Sequence, residues 1–240
     1  MTDLMDDQTF WDAMKQARQS VASIRHPFTS LWANGELTRE QLGDWAVQHH
    51  YYIAPVPQHL ALLFCKLPDL DGRQHLMENI VGEEMPDKPE KRHPELLVKF
   101  AMACGKTREQ VEDAEWAGDI LPSTRAMAAW TWELTTVRHI SEACAGLMVG
   151  LEGQLPTLYP LYVDAMKKMG FSDDDLEFFY VHIEGDVGHA QTGLELAARY
   201  ADTLELRRRA VSIVKATAQM RYTMLDGIYG QLCGALKAAE

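Results

Sequence analysis

The stretch Phe178-Phe179-Tyr180-Val181-His182-Ile183-Glu184-Gly185-Asp186-Val187-Gly188-His189-Ala190 holds two histidines and an aspartate at spacings of i, i+4 and i+7. At about 100° per residue these offsets return to within roughly 40° and 20° of the starting direction, so His182, Asp186 and His189 share one stripe of a helix. Glu184 falls on a different face. The stripe occupies heptad-like positions that a buried helix fills with apolar side chains. Burying three polar groups there without partners costs on the order of several kcal/mol. A metal ion coordinated by all three removes that cost. The same spacing also describes a polar surface face, but the flanking Phe178, Phe179, Val181, Leu194 and Leu196 point to a partly buried helix.

One stripe supplies at most three ligands, so further ligands must come from other segments. Glu152 is a lone acid at the end of a small, apolar run, Gly146-Leu147-Met148-Val149-Gly150-Leu151. The small residues there let another helix approach closely. Glu83 and Glu84 end a helical segment that begins near Leu70, and His93 follows in Arg92-His93-Pro94-Glu95. Each is weak evidence alone, since a terminal Glu is usually solvated and a His before Pro often just enters a helix. Together they make a set of two Glu, one Asp and three His. Hard oxygen donors with imidazoles suit iron or manganese better than thiolate-seeking metals.

Around these residues the chain reads as helical. Thr38-x-x-Gln41 and Thr107-x-x-Gln110 are capping boxes, and Ser172-x-x-Asp175 resembles one. Prolines and glycines punctuate the periodic stretches. The pattern predicts helices near 8–23, 38–54, 57–66, 70–84, 94–104, 107–115, 122–151, 156–169, 173–200 and 203–238. Strand signals are missing. The expected architecture is all-α: one helical-bundle domain over residues 1–240, a good host for a metal site between facing helices.

Asp and Glu number 35 against 23 Lys and Arg, a net charge of −12. Such a surface repels nucleic acid phosphates and anionic membranes, so neither is an expected partner. The four cysteines, Cys65, Cys104, Cys144 and Cys233, are too scattered for a zinc knuckle or a disulfide framework. The acidic N-terminus has no signal-peptide pattern, and no apolar run is long enough to span a membrane. A cytoplasmic protein is expected, and a homodimer is its expected assembly.

The order and separation of these motifs resemble the haem-oxygenase-like superfamily of all-α proteins. Within it the chain is most similar to the di-iron oxidases and oxygenases, including the Chlamydia protein associating with death domains. His26-Pro27-Phe28, Gly35-Glu36-Leu37-Thr38-x-x-Gln41 and Tyr51-Tyr52 before Pro57 carry the N-terminal half of the resemblance. Asn79-Ile80-Val81-Gly82-Glu83-Glu84, His93-Pro94-Glu95-Leu96, Glu152-x-Gln154-Leu155-Pro156 and His182-x-x-x-Asp186-x-x-His189 carry the rest. The resemblance implies Glu83, His93, Glu152, His182, Asp186 and His189 as ligands of two Fe2+ ions, with an iron–manganese pair as a variant. Glu84 is an alternative to Glu83. It implies oxygen activation at a non-haem di-iron centre and oxygenation, desaturation or C–C cleavage of a small organic substrate.

The chlamydial-type members make para-aminobenzoate from their own side chains, using tyrosines near the chain start and a lysine after the Glu152 position. Thr29, Trp45 and Tyr162 stand at those positions here, so self-sacrificing synthesis is not expected. Alternatives are a metal-free oxidase resembling pyrroloquinoline-quinone synthase and a hydrolase resembling thiaminase II with Cys144 or Cys65 as nucleophile. A helical interaction module without enzymatic activity is a further alternative. Arg125 and Arg138 are candidates to hold a substrate carboxylate, with Tyr52 in the substrate pocket. Tyr51, His49, His50, His139, Trp130 and Trp132 are candidates to line a cavity or orient ligands.

Overall fold

Asp6 accepts a hydrogen bond from the Thr9 backbone N–H and so starts α1 (Asp7–Gln19). The chain, a computed structural model that describes residues 4–237, continues through helices alone; among the described residues there is no strand. The next helix, α2 (Pro27–Ala33), is absent from the sequence expectation. It is only seven residues long, and its cap is a histidine: Nδ1 of His26 accepts from the Phe28 N–H. Then come α3 (Arg39–Ile53), α4 (Val56–Lys66), α5 (Leu70–Glu84), α6 (His93–Ala103), α7 (Arg108–Glu112), α8 (Ala114–Ala117) and α9 (Pro122–Thr136). The boxes expected at Thr38 and Thr107 form and open α3 and α7. At the end of α5, Met85 adopts a left-handed conformation, φ 40°, which turns the chain away directly after Glu83 and Glu84.

The single helix expected over 122–151 is broken. The chain leaves α9 at Val137 and restarts as α10 (Ile140–Cys144), where Nδ1 of His139 accepts from the Ser141 N–H and Glu142 Oε2 accepts from the His139 N–H. The backbone then widens into a π-helix, Ala145–Leu151, and tightens into a 3₁₀ turn, Glu152–Gln154. The small residues of this run do admit a neighbour. A Cβ at Gly150 would stand 3.0 Å from Thr217 Cβ and 3.2 Å from the Val214 carbonyl oxygen.

Three helices complete the fold: α11 (Leu155–Lys168), α12 (Glu177–Tyr200) and α13 (Leu204–Lys237). Ser172 and Asp175 exchange the expected reciprocal bonds, but α12 begins only at Glu177, after a turn. The core is strongly aromatic. Trp32 stacks on Tyr162 with centroids 3.9 Å apart, and Phe179 packs edge-on against Phe100 and Tyr159. Such pairs add about 0.5–1.5 kcal/mol each beyond their buried area. Phe178 and Phe179 are both buried, so the first turns of α12 are enclosed on more than one side and their polar stripe faces the interior. No helix among the described residues is long and apolar enough to cross a membrane.

Candidate metal centre

Four separate segments bring six ligand-type side chains into two groups. Glu83 from the last turn of α5, His93 from the start of α6 and His182 from α12 form one. Glu152 from the 3₁₀ turn joins Asp186 and His189 of α12 in the other. Within each group one ligand atom from every residue lies within 4.8 Å of the others. One buried cavity of about 30 Å³ touches both, lined by Glu83, Glu152, His182 and Asp186 among others. The spacing argument for α12 holds: His182 and Asp186 are buried, His189 is partly so, and Glu184 is exposed. Glu83 is buried beside His93 and His182, while Glu84 pairs outward with Arg92 at 2.6 Å.

Nδ1 of His93 lies 2.9 Å from Glu83 Oε2, yet makes no well-aligned hydrogen bond. Oε2 of Glu152 and Oδ2 of Asp186 are also buried without a hydrogen-bond partner. Nδ1 of His189 stands 3.2 Å from Asp186 Oδ1 and 3.5 Å from Glu152 Oε2. Buried polar atoms this crowded and this poorly paired are costly unless something positive sits among them. The donor set, three carboxylates and three imidazoles, fits a hard or borderline divalent cation.

The protonation pattern says the same. Burial pushes the Asp186 carboxyl up to about 7, with the Glu152 charge adding to the rise and His189 opposing it. Burial disfavours a charged His189, but Asp186 and Glu152 outweigh it and lift the imidazole to about 11. His182 is held down to about 4 by burial and by neighbouring His93. Burial likewise works against ionised Glu83 and His93, but each moves toward its charged form because of the other. Protons thus stand in for the positive charge the site calls for.

The turn that carries Glu152 is anchored from outside. Arg18 Nη1 donates to the Val149 carbonyl oxygen at 3.0 Å, and Gln154 Nε2 donates to that of Gly150 at 2.8 Å. Gln154 Oε1 in turn accepts the Ser23 N–H at 2.8 Å. These bonds satisfy carbonyls left over by the wide π turn.

Residues 43–222 match the sequence profile of the iron-containing redox enzymes. The chain belongs to that family. A 4-aminobenzoate synthase of Nitrosomonas europaea is 29% identical over 247 residues, covering 98% of this chain and 97% of its own. A pyrroloquinoline-quinone synthase of Klebsiella pneumoniae is 24% identical over 233 residues, covering 95% of this chain and 89% of its own. A domain with a haem-oxygenase-like fold from Shewanella denitrificans superposes with a TM-score of 0.74 at 15% identity, over 95% of this chain and 94% of that one. The all-α, haem-oxygenase-like architecture expected from the sequence is therefore the architecture of this protein.

Several candidate pocket residues lie elsewhere. Arg125 is on the surface, where Nη1 reaches Glu115 at 2.8 Å and the Tyr51 hydroxyl at 3.3 Å. Arg138 binds Glu133 at 2.6 Å beside a separate surface groove that includes Trp130. Neither lines the metal-centre cavity, contrary to the sequence expectation. His139 is a helix cap and Trp130 donates to Thr217. Tyr52 and His49 do line the cavity, and two residues missed in the sequence join them: Tyr159 and Arg221. Arg221 had a signal. It sits in a stripe of α13 with Val214, Thr217, Ala218, Met224, Leu225 and Ile228, all buried, a lone cation where an apolar residue belongs.

Proposed function

We propose that this chain is an iron-dependent oxidoreductase that uses dioxygen to oxidise a small organic molecule. Glu83, His93 and His182 hold one ion, and Glu152, Asp186 and His189 hold the other. The observation that carries this reading is the convergence of six ligand-type residues from four segments, with buried oxygen and nitrogen atoms among them left without hydrogen bonds. When bound, ferrous ions on oxygen and imidazole donors supply the electrons that activate dioxygen.

The chain's own part is positioning and exclusion. Nδ1 of His182 donates to the Phe178 carbonyl oxygen, which leaves Nε2 as the free donor atom. Leu151, Leu155, Ile53 and Val56 give the cavity an apolar wall. Carboxylate content divides the two groups: the Glu152 group has two carboxylates, the Glu83 group one. A harder ion such as manganese, if one is used, belongs with Glu152, Asp186 and His189.

Other chemistries find less support. Cys144 is buried with its thiol pushed up to about 12, and it does not line the cavity, which disfavours a thiaminase-like nucleophile. One arginine and no lysine line the cavity, which disfavours both the basic pocket of a metal-free quinone-forming oxidase and a lysine-dependent aminobenzoate synthesis. The test is anaerobic ferrous loading, metal analysis and oxygen uptake. About two irons per chain and a transient visible band on exposure to oxygen support the reading. Iron at background, unchanged by Glu152→Ala or His182→Ala, overturns it.

A further inference from the structure

Arg221 is only 2% exposed, yet it forms no ion pair among the described residues, its Nε is buried without a partner, and the side chain hydrogen-bonded to it is the neutral Tyr159 phenol. A guanidinium is always charged and carries five donors, so this is an exceptional position for it. It lines the metal-centre cavity. The groups that act on its charge are the phenols of Tyr52, Tyr159 and Tyr162, and no carboxylate is among them. Two more orphaned polar atoms face the same space. The Tyr52 hydroxyl has no partner, and neither has Nδ1 of His49. Nε2 of His49 lies 3.1 Å from the Tyr159 hydroxyl; when it accepts that proton, Nδ1–H is a free donor. The cavity thus offers a cation with no carboxylate partner and two unpartnered neutral donors, and its lining also includes four of the candidate metal ligands.

We infer that Arg221, with Tyr52 and His49, receives the carboxylate of a small organic acid and so presents the acid's other end to the metal ligands. A carboxylate is acceptor-only, planar and anionic, which matches a guanidinium without an anionic partner flanked by two donors. The cavity is small, about 30 Å³, so the group it receives is a compact one. Ile53, Val56, Leu151 and Leu155 complete the lining, so the body of the acid is apolar. The inference names a substrate class for the proposed iron-dependent oxidation and rests on that reading only for what becomes of the acid, not for its binding.

The test is calorimetric titration of metal-free and iron-loaded protein with acetate and benzoate, and with acetamide and benzamide as neutral counterparts. The acids are expected to bind at least tenfold more tightly than the amides in both metal states. Arg221→Met, which keeps length and removes charge, is expected to lower acid affinity at least tenfold with iron content unchanged, and Arg221→Lys to retain part of it. Acids and amides binding alike, no acid binding, or parental acid affinity in Arg221→Met each overturns the inference. Should Arg221→Met fail to fold, the acid–amide contrast on the parent and the Arg221→Lys variant decide. An acid-selective cavity in a protein that takes up no iron keeps this inference and removes the oxidative one; iron uptake without acid selectivity does the reverse.

Discussion

Nδ1 of His182 donates to the main-chain carbonyl oxygen of Phe178, one turn back along α12, at 2.6 Å. That bond fixes the imidazole tautomer and ring orientation, so only Nε2 remains to face Glu83 and His93. His189 has no such backbone tether and meets Asp186 and Glu152 instead. In the proposed centre the two histidines therefore serve different ions. His182→Ala is expected to lower iron content from about two to about one per chain by emptying the Glu83–His93 group, and His189→Ala to empty the other. Metal analysis with iron-edge absorption on each variant reads this. The remaining ion should have more imidazole ligands in His189→Ala than in His182→Ala; identical spectra would count against two separate groups.

Proton and metal compete at the Glu152 group. The imidazole of His189 is lifted to about 11 and the Asp186 carboxyl to about 7, so at neutral pH the metal-free site keeps the His189 proton and a share of one on Asp186. A cation must expel them. Iron affinity is expected to fall as pH drops from about 8 to 6, and loading to release about one proton or more per chain. Titrations in two buffers of different ionisation heat count the protons. The sign for stability follows. Both groups have folded values above their unfolded ones, so the stabilisation they give metal-free protein fades as pH rises from about 4 to 7 for Asp186 and about 6.5 to 11 for His189. Between about pH 7 and 9 metal-free protein should lose thermal stability while iron-loaded protein changes less.

Arg18 holds the turn that delivers Glu152. Its guanidinium sits against Gly153, where an added Cβ would collide with Nη1, and donates to the Val149 carbonyl. Arg18→Met leaves that buried carbonyl unpaired and should cost about 1–3 kcal/mol. Gly153→Ala displaces the same guanidinium. Both are expected to weaken iron at the Glu152 group about 10- to 100-fold, the range for residues that support a ligand, and to leave the Glu83 group unchanged. Thermal unfolding and two-phase iron titration check this; an unchanged weaker phase would detach Arg18 from the site.

The stripe on α12 was legible because a helix repeats every 3.6 residues whatever surrounds it, and His182, Asp186 and His189 all follow that period. Local sequence does not say which of two adjacent acids turns inward. Glu84 is taken by Arg92, eight residues later, and only the folded turn at Met85 shows it. The break before α10 was hidden for a different reason: His139 caps the helix with an imidazole, a residue type outside the usual capping set. Arg125 and Arg138 looked available because their partners, Glu115 and Glu133, lie too far along the chain to read as i, i+4 pairs. Arg221 was legible by the logic used for His182, a polar residue in an apolar stripe, applied to α13.

Gly185 and Gly188 interrupt α12 between the ligands without serving as packing spacers. An added Cβ at Gly188 would meet nothing within 4 Å, and one at Gly185 would meet only the His189 ring, at 3.8 Å. Their effect is therefore on the helix itself, each weakening it by about 1 kcal/mol relative to alanine. Gly188→Ala is expected to stabilise the protein by about that amount, a rise of roughly 2–4 °C in melting temperature for a chain of this size. If the loose helix lets the His189 ion exchange, the same substitution slows iron release to a chelator from the Glu152 group and leaves release from the Glu83 group alone. Melting curves and chelator kinetics separate the two effects. Stabilisation without slower release would assign the glycines to the fold's economy alone, and slower release from both groups would place the motion outside α12.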